Sequence, residues 1–168
     1  YQLGFVPGLL QTEAGMRATF AGARDPLSGR RLENEIAVRL RRQTRLTDDE
    51  PLTLHAIIDE SVLRRPDLLP DEQSAQLEHI IECAQLPHVT VQVIPFRAGA
   101  HASMGTAFTI VRVPDGGEAA GNQIVYLEDM WSADYLEKPR QVSAYSVLFD
   151  RLCTSALTGP GTVTAIEG

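Results

Sequence analysis

The spacing of the hydrophobic residues changes near residue 50, and this change limits the chain to folds that combine helices with a sheet. Before that point Leu32, Ile36 and Leu40 lie four residues apart, the spacing of one face of a helix. After it, the run from Val89 to Val93 alternates apolar and polar residues, which is typical of a half-buried strand. The sequence therefore predicts an N-terminal helical region followed by a region that forms a sheet.

The order of the predicted elements indicates the fold class. The predicted order is two helices, followed by strand, helix, strand, strand, strand and helix. The four strands are predicted at 52–59, 89–94, 107–113 and 123–128. A parallel pair joined through the helix at 72–86, with antiparallel neighbours, gives an α+β fold with a mixed four-stranded sheet. We expect one domain over residues 1–168, with a helical subdomain at 1–46 and an α+β core at 47–168.

Local chemistry predicts several element boundaries. Asp71 is a suitable N-cap for the helix at 72–86, because its carboxylate can accept the unpaired N–H groups of a first turn. Gly159, Pro160 and Gly161 are expected to end the last helix, at 139–156. The segment from 127 to 136 is expected to be a loop. It carries Trp131 and Tyr135, which suit either a recognition surface or a cover for the edge of the core.

The charge of the chain is unevenly distributed. Fifteen basic and 22 acidic residues give a formal net charge of −7, which argues against a chain that mainly grips nucleic acid. The segment 30–45, within and just before the predicted helix at 32–46, nevertheless carries six arginines and two glutamates. Its arginines suit a solvated face with ion pairs, a contact with a partner protein, or a contact with phosphate.

Sequence signals of catalysis and of metal binding are absent. The chain has no glycine-rich phosphate loop, no zinc-ligand spacing of histidine and cysteine, and no Gly-x-Ser-x-Gly turn. We therefore predict no enzymatic activity, no catalytic residue, no cofactor and no metal. No apolar run approaches the ~18 residues of a membrane span, and we expect a cytoplasmic protein without a membrane partner.

Charged side chains after the predicted strands are the main candidates for a binding site. Asp59 and Glu60 follow the first strand, and Glu128 and Asp129 follow the last, where open sheets often hold ligands. If these strands are neighbours, the carboxylates crowd together and require arginines to neutralise them. Such a cluster could do acid–base chemistry, or it could be a structural ion-pair network. The candidate binding residues are Asp59, Glu60, Arg64, Arg65, Arg97, His101, Glu128, Trp131 and Tyr135.

Several sequence blocks, in a fixed order, resemble a widespread actinobacterial domain of unknown function. They include the run from Val6 to Glu13, the run from Ile57 to Pro66, the run from Leu86 to Phe96 and the run from Ile124 to Glu128. The resemblance implies a domain that follows an XRE-type helix-turn-helix in transcriptional regulators. It also implies a toxin-antitoxin-like gene arrangement with a small acidic partner protein, and DNA contact only through a part upstream of Tyr1.

Three functions remain open at this point. The first is a non-catalytic, antitoxin-like regulatory domain that binds a partner protein or a second copy of itself as a homodimer. The second is a sensor that binds a small-molecule effector near Asp59, Arg64, His101, Glu128 and Trp131. The third is an enzyme that uses the carboxylate cluster.

Overall fold

The computed structural model describes residues 1–65, 68–115, 118–129 and 132–168. For residues 114, 115 and 118–121 it describes the backbone only. The α+β fold class is confirmed: helices come first, and strands and helices follow. The helices are α1 (Glu13–Ala21), α2 (Gly29–Gln43), α3 (Glu60–Leu63), α4 (Pro70–Ala84), α5 (Pro139–Ser155) and α6 (Pro160–Glu167). The strands are β1 (Leu54–Asp59), β2 (Val89–Ile94), β3 (Thr109–Asp115), β4 (Glu118–Glu128) and β5 (Ala133–Leu136).

The strands form two sheets. β1 and β2 are parallel, with Leu54 opposite Val89 and Asp59 opposite Ile94, and α3 and α4 lie in the connection between them. β3, β4 and β5 form an antiparallel sheet in that order. The described residues thus contain five strands in two sheets, where the sequence predicted four strands in one.

The first two residues join the two sheets. Gln2 runs parallel to β1: its N–H donates to the Ile57 carbonyl (3.0 Å), and its carbonyl accepts from Asp59 N (3.1 Å). Tyr1 exchanges two backbone hydrogen bonds with Phe108, just before β3, at 2.9 and 3.2 Å. The short segment therefore continues the hydrogen-bonded ladder from the parallel pair to the antiparallel sheet.

Both faces of the parallel pair are buried. On one face Ala56 and Ile58 pack with Val91 and Val93 against Ile80 of α4, in a cluster that also includes Ile166 of α6. On the other face lies a second cluster, which α5 covers: Tyr1, Ile57, Ile94, Phe108, Val125, Val142 and Leu152. Helices on both faces are the usual environment of parallel strands, whose backbone polar groups are paired within the sheet.

Three local predictions need correction. Leu69, not Asp71, is the N-cap of α4, and the Glu72 carboxylate reaches back to accept from Leu69 N at 3.2 Å. The predicted loop at 127–136 contains a strand, β5, at Ala133–Leu136. Gly159, Pro160 and Gly161 do not end the last helix: α5 ends at Ser155, and Gly159 is the N-cap of a further helix, α6, which begins at Pro160. The φ of Gly159, 49°, is in the left-handed region that glycine tolerates.

The N-terminal helices dock through buried amides. Gln76 of α4 is 2 % exposed; its Oε1 accepts from Thr12 N (2.8 Å), and its Nε2 donates to the Leu10 carbonyl (2.7 Å). Gly15 lies so close that a methyl group there would meet Gln76 Oε1. Gln43 of α2 in turn donates to the carbonyls of Gly8 and Gln11. The helical region is therefore tied to the core by specific polar contacts as well as by apolar packing.

Replacing Gln76 by alanine is expected to destabilise the protein strongly. Gln76→Ala leaves the Leu10 carbonyl and the Thr12 N–H without partners, which should lower the free energy of unfolding by about 2 to 4 kcal/mol. Gln85→Ala, at an exposed position just after α4, is the control and should change it little. Urea unfolding followed by circular dichroism measures both, and equal effects would contradict this role of Gln76.

Candidate functional site

Two of the candidate residues, Asp59 and His101, form a buried pair at the end of β1. His101 Nε2 lies 3.4 Å from Asp59 Oδ2, and the two side chains are only 4 % and 14 % exposed. Asp59 is also the N-cap of α3, since its Oδ1 accepts from Ser61 N (2.9 Å) and from the Ser61 hydroxyl. The pair therefore fixes the loop that carries His101 to the end of the parallel strands.

Both ring nitrogens of His101 face groups of the protein. Its Nδ1 accepts from Ser103 N at 3.4 Å, while Nε2 faces Asp59. The Tyr1 ring packs edge-on against the imidazole, with centroids 5.8 Å apart. Burial first, and the Asp59 charge second, raise the pKa of the Tyr1 hydroxyl. This arrangement suits a structural pair better than a catalytic one.

Glu60, Arg64 and Arg97 lie on the other side of the same strand ends. Glu60 accepts from Phe96 N at 2.8 Å, and its Oε1 is 3.5 Å from Arg64 Nε. Arg64 also donates to the Ala165 carbonyl of α6 at 2.7 Å. Glu60 and Arg97 line an open cavity of about 280 Å³, together with Pro95, Leu157, Gly161, Thr164 and Ala165. Neither Asp59 nor His101 lines this cavity.

Arg65 is separated from that group. It lines a smaller cavity, of about 40 Å³, between α1, α3 and α4. Other residues around that cavity include Val6, Gln11, Val62 and Gln76. Arg64 and Arg65, although adjacent in sequence, therefore face different parts of the molecule.

The predicted cluster of four carboxylates does not form. Glu128 ends β4, in the antiparallel sheet, whereas Asp59 ends β1 in the parallel pair, and the two strands are not neighbours. Glu128 lies instead on the side of α2, where its negative charge raises the pKa of Arg39 against the larger, opposite effects of burial and Arg42. It also hydrogen-bonds Tyr126, whose pKa is raised by burial of the hydroxyl and then by this bond. The expectation failed because it required β1 and β4 to be adjacent.

Tyr135 belongs to an apolar surface that the sequence did not indicate, while Trp131 lies outside the described residues. Tyr126 and Tyr135 are directly opposite each other in the β4–β5 ladder, with ring centroids 5.2 Å apart. Val111 and Ile124 form the next pair on this side of the sheet, and Val113 follows. We call these five residues the outer sheet face. The sequence pattern missed it because its members come from three strands.

The arginines of α2 are divided between the protein and solvent. Arg39 turns inward: it donates to Gln11 Oε1 at 2.8 Å and stacks on Phe20, 4.2 Å from the ring centroid. Burial first, and the Arg42 charge second, lower the pKa of Arg39. Arg41 and Arg42 are exposed in the last turn. Leu40, expected in the buried stripe, is 38 % exposed because Ile36, Arg39 and Gln43 make the contacts with the core.

The described part of the chain lacks both a cluster of metal-ligating side chains and a membrane-spanning helix. No group of three or more histidine, cysteine, aspartate or glutamate side chains is placed to hold a metal ion. No helix in the described ranges is long and apolar enough to cross a bilayer.

The Asp59–His101 pair makes a testable prediction. Asp59→Ala removes the N-cap of α3 and the partner of His101, and should lower the free energy of unfolding by about 2 to 4 kcal/mol. Asp59→Asn keeps an acceptor for Ser61 N and should cost less than half as much. Glu137→Ala, at an exposed position, is the control. Chemical unfolding measures all three, and equal losses for alanine and asparagine would contradict the capping role.

Comparison with known proteins identifies a family and nothing more specific. No curated protein and no solved structure matches the chain. One family model, described as a domain of unknown function (DUF5753), matches residues 1–168. Since the match covers the whole chain, the protein belongs to the DUF5753 family.

Proposed function

We propose that this domain is the non-catalytic, antitoxin-like regulatory part of a cytoplasmic transcriptional regulator, and that it binds a small acidic partner protein on the outer sheet face. The observation that carries the proposal is the apolar character of that face. In the proposal, DNA is read by a helix-turn-helix elsewhere in the regulator, as the resemblance implies.

The outer sheet face differs from the usual solvent side of an antiparallel sheet. Val111 is 43 % exposed, Val113 48 % and Tyr135 66 %. The opposite side of the same strands is already occupied, because Ile110, Val125 and Leu136 pack in the cluster under α5. An antiparallel sheet with one covered face normally carries polar residues on the other. A patch of valines and tyrosines there is typical of a surface that a protein partner covers.

The charges beside this face favour an acidic partner. Arg42 of α2 is close enough to Tyr126 for its charge to lower the pKa of the tyrosine, against the larger effects of burial and of Glu128. Arg41 and Arg42 are both exposed. An acidic protein seated on the apolar face would therefore meet the exposed positive charge of Arg42 at its rim, which speeds and orients association. The chain as a whole is acidic, with a net charge of −7, so this rim is a local exception.

The interaction can be tested with the acidic protein encoded beside the regulator gene. We expect the purified chain and that protein to form a complex in size-exclusion chromatography with light scattering. Tyr135→Ala should weaken the complex about tenfold or more in titration calorimetry, because a tyrosine that becomes buried in an interface is often among the few residues that dominate its affinity. The chain could instead form a homodimer in the absence of that protein. If Tyr135→Ala disrupts this dimer, the partner on the outer sheet face is a second copy of the chain and not the acidic protein.

Phe96→Ala is the matched control for this experiment. Phe96 is 61 % exposed, close to the exposure of Tyr135, but it lies in the turn after β2 and outside the outer sheet face. Its substitution should leave the affinity unchanged. Equal losses for both variants, or no complex and no dimer at all, would contradict the proposal.

The role of the arginine rim gives a separate prediction. Arg42→Glu reverses a charge beside the face without removing apolar area, and should lower the affinity about threefold to tenfold. The loss should shrink as the salt concentration rises, because exposed charges are screened. Calorimetry at low and high salt measures this, with Arg30→Glu at the far end of α2 as the control. A loss that does not depend on salt would argue against an electrostatic role.

A further inference from the structure

We propose that the cavity between Glu60, Arg97 and α6 is a binding site for a small organic anion, a carboxylate or a phosphate monoester, with Arg97 as its charge partner. We call it the Arg97 cavity. This goes beyond the proposed partner binding, because it gives the domain a second, small-molecule site on a different part of the fold.

The position of the cavity is a common one for ligands. β1 and β2 are parallel and end at Asp59 and Ile94, and the next residues of each, Glu60 and Pro95, form one wall. Open sheets with parallel strands tend to bind ligands beyond the carboxyl ends of those strands, where the connecting segments diverge. The opposite wall is the first turns of α6, through Gly161, Thr164 and Ala165.

The walls are held in place before any ligand arrives. Leu157 N donates to the Val93 carbonyl at 2.8 Å, and the Leu157 carbonyl accepts from Gln92 Nε2 and from the Thr162 hydroxyl. Arg64 joins two residues of the lining, since it contacts the Glu60 carboxylate and donates to the Ala165 carbonyl. A cavity whose walls are fixed by hydrogen bonds loses little conformational entropy on binding.

The charges in the cavity leave one positive group uncompensated. Both oxygens of Glu60 have partners, Phe96 N and Arg64, so this carboxylate is balanced within the protein. Within the described part of the chain, the Arg97 guanidinium has no hydrogen-bond or ion-pair partner, and the Thr164 hydroxyl makes no hydrogen bond. A guanidinium donates to a carboxylate or a phosphate with two parallel N–H groups. The unpaired N–H groups of the positively charged Arg97 therefore favour an anion over a cation as the ligand.

The size and lining of the cavity limit the ligand further. Its volume of about 280 Å³ is just below the ~300 to 1,000 Å³ range of pockets for drug-sized molecules and above the ~150 Å³ that holds benzene. Leu157, Pro95 and Ala165 offer apolar contact beside the charged groups. A ligand of this site is therefore a small metabolite with one anionic group and a short apolar part.

The experiment is a titration of the ¹⁵N-labelled chain with two probes, butyrate and inorganic phosphate. We expect saturable shifts of the Arg97, Thr164 and Ala165 amide signals with at least one probe. Arg97→Gln, which keeps the length but removes the charge, should weaken that binding about tenfold. Thr164→Val should weaken it less, about threefold, because it removes a neutral hydroxyl.

Arg65→Gln is the matched control, since Arg65 lines the other cavity and should not affect the titration. Circular dichroism checks that the variants are folded, which is expected because Arg97 is exposed. Saturation by butyrate alone assigns a carboxylate, and saturation by phosphate alone a phosphate monoester; either supports the site. No saturable shift with either probe at millimolar concentration, or binding that Arg97→Gln leaves unchanged, would overturn it.

Discussion

The backbone pairing of Tyr1 and Gln2 is the constraint on which the rest of the structure depends. These two residues bond to β1 on one side and to Phe108 on the other, so they align two sheets that differ in strand direction. Tyr1 is buried and Gln2 is half-buried, and a buried peptide group without a partner costs about as much as a lost hydrogen bond. Once they are paired, the Tyr1 ring lies against His101 and Phe108, and the cluster beneath α5 extends under both sheets.

The two sheets joined by this link have different surfaces. The parallel pair has hydrophobic clusters on both faces, so its accessible features are at the strand ends, where the Arg97 cavity lies. The antiparallel sheet continues from it and packs on α5 with one face, which leaves the outer sheet face uncovered. One fold therefore carries a small cavity at the strand ends and an apolar sheet face at a separate place, which is compatible with the two binding functions proposed above.

Much of the fold followed from short-range patterns, and the errors have physical reasons. The strict alternation at Val89 to Val93 and the helical spacing through Ile36 were sufficient to predict β2 and α2. The predicted N-cap of α4 was wrong because the helix begins at Pro70, so that Asp71 is its second residue and not the residue before it. Glu72, the third residue, reaches back to Leu69 N instead. Leu40 was predicted to be buried because the spacing rule counts only apolar residues. The rule leaves out an arginine such as Arg39, which stacks on Phe20 and whose stem packs like an apolar group.

The sequence by itself determined the α+β class, the main helices and strands and the family blocks. It also determined which charged residues follow which strands. Only the tertiary structure decided which of those residues meet. Asp59 and Glu60 are adjacent in the chain, yet one pairs with His101 and the other faces the Arg97 cavity, while Glu128 lies on the other sheet. The reason is that strand order and sheet pairing depend on contacts between residues far apart in sequence, such as Tyr1 with Phe108. Local periodicity carries no information about such contacts.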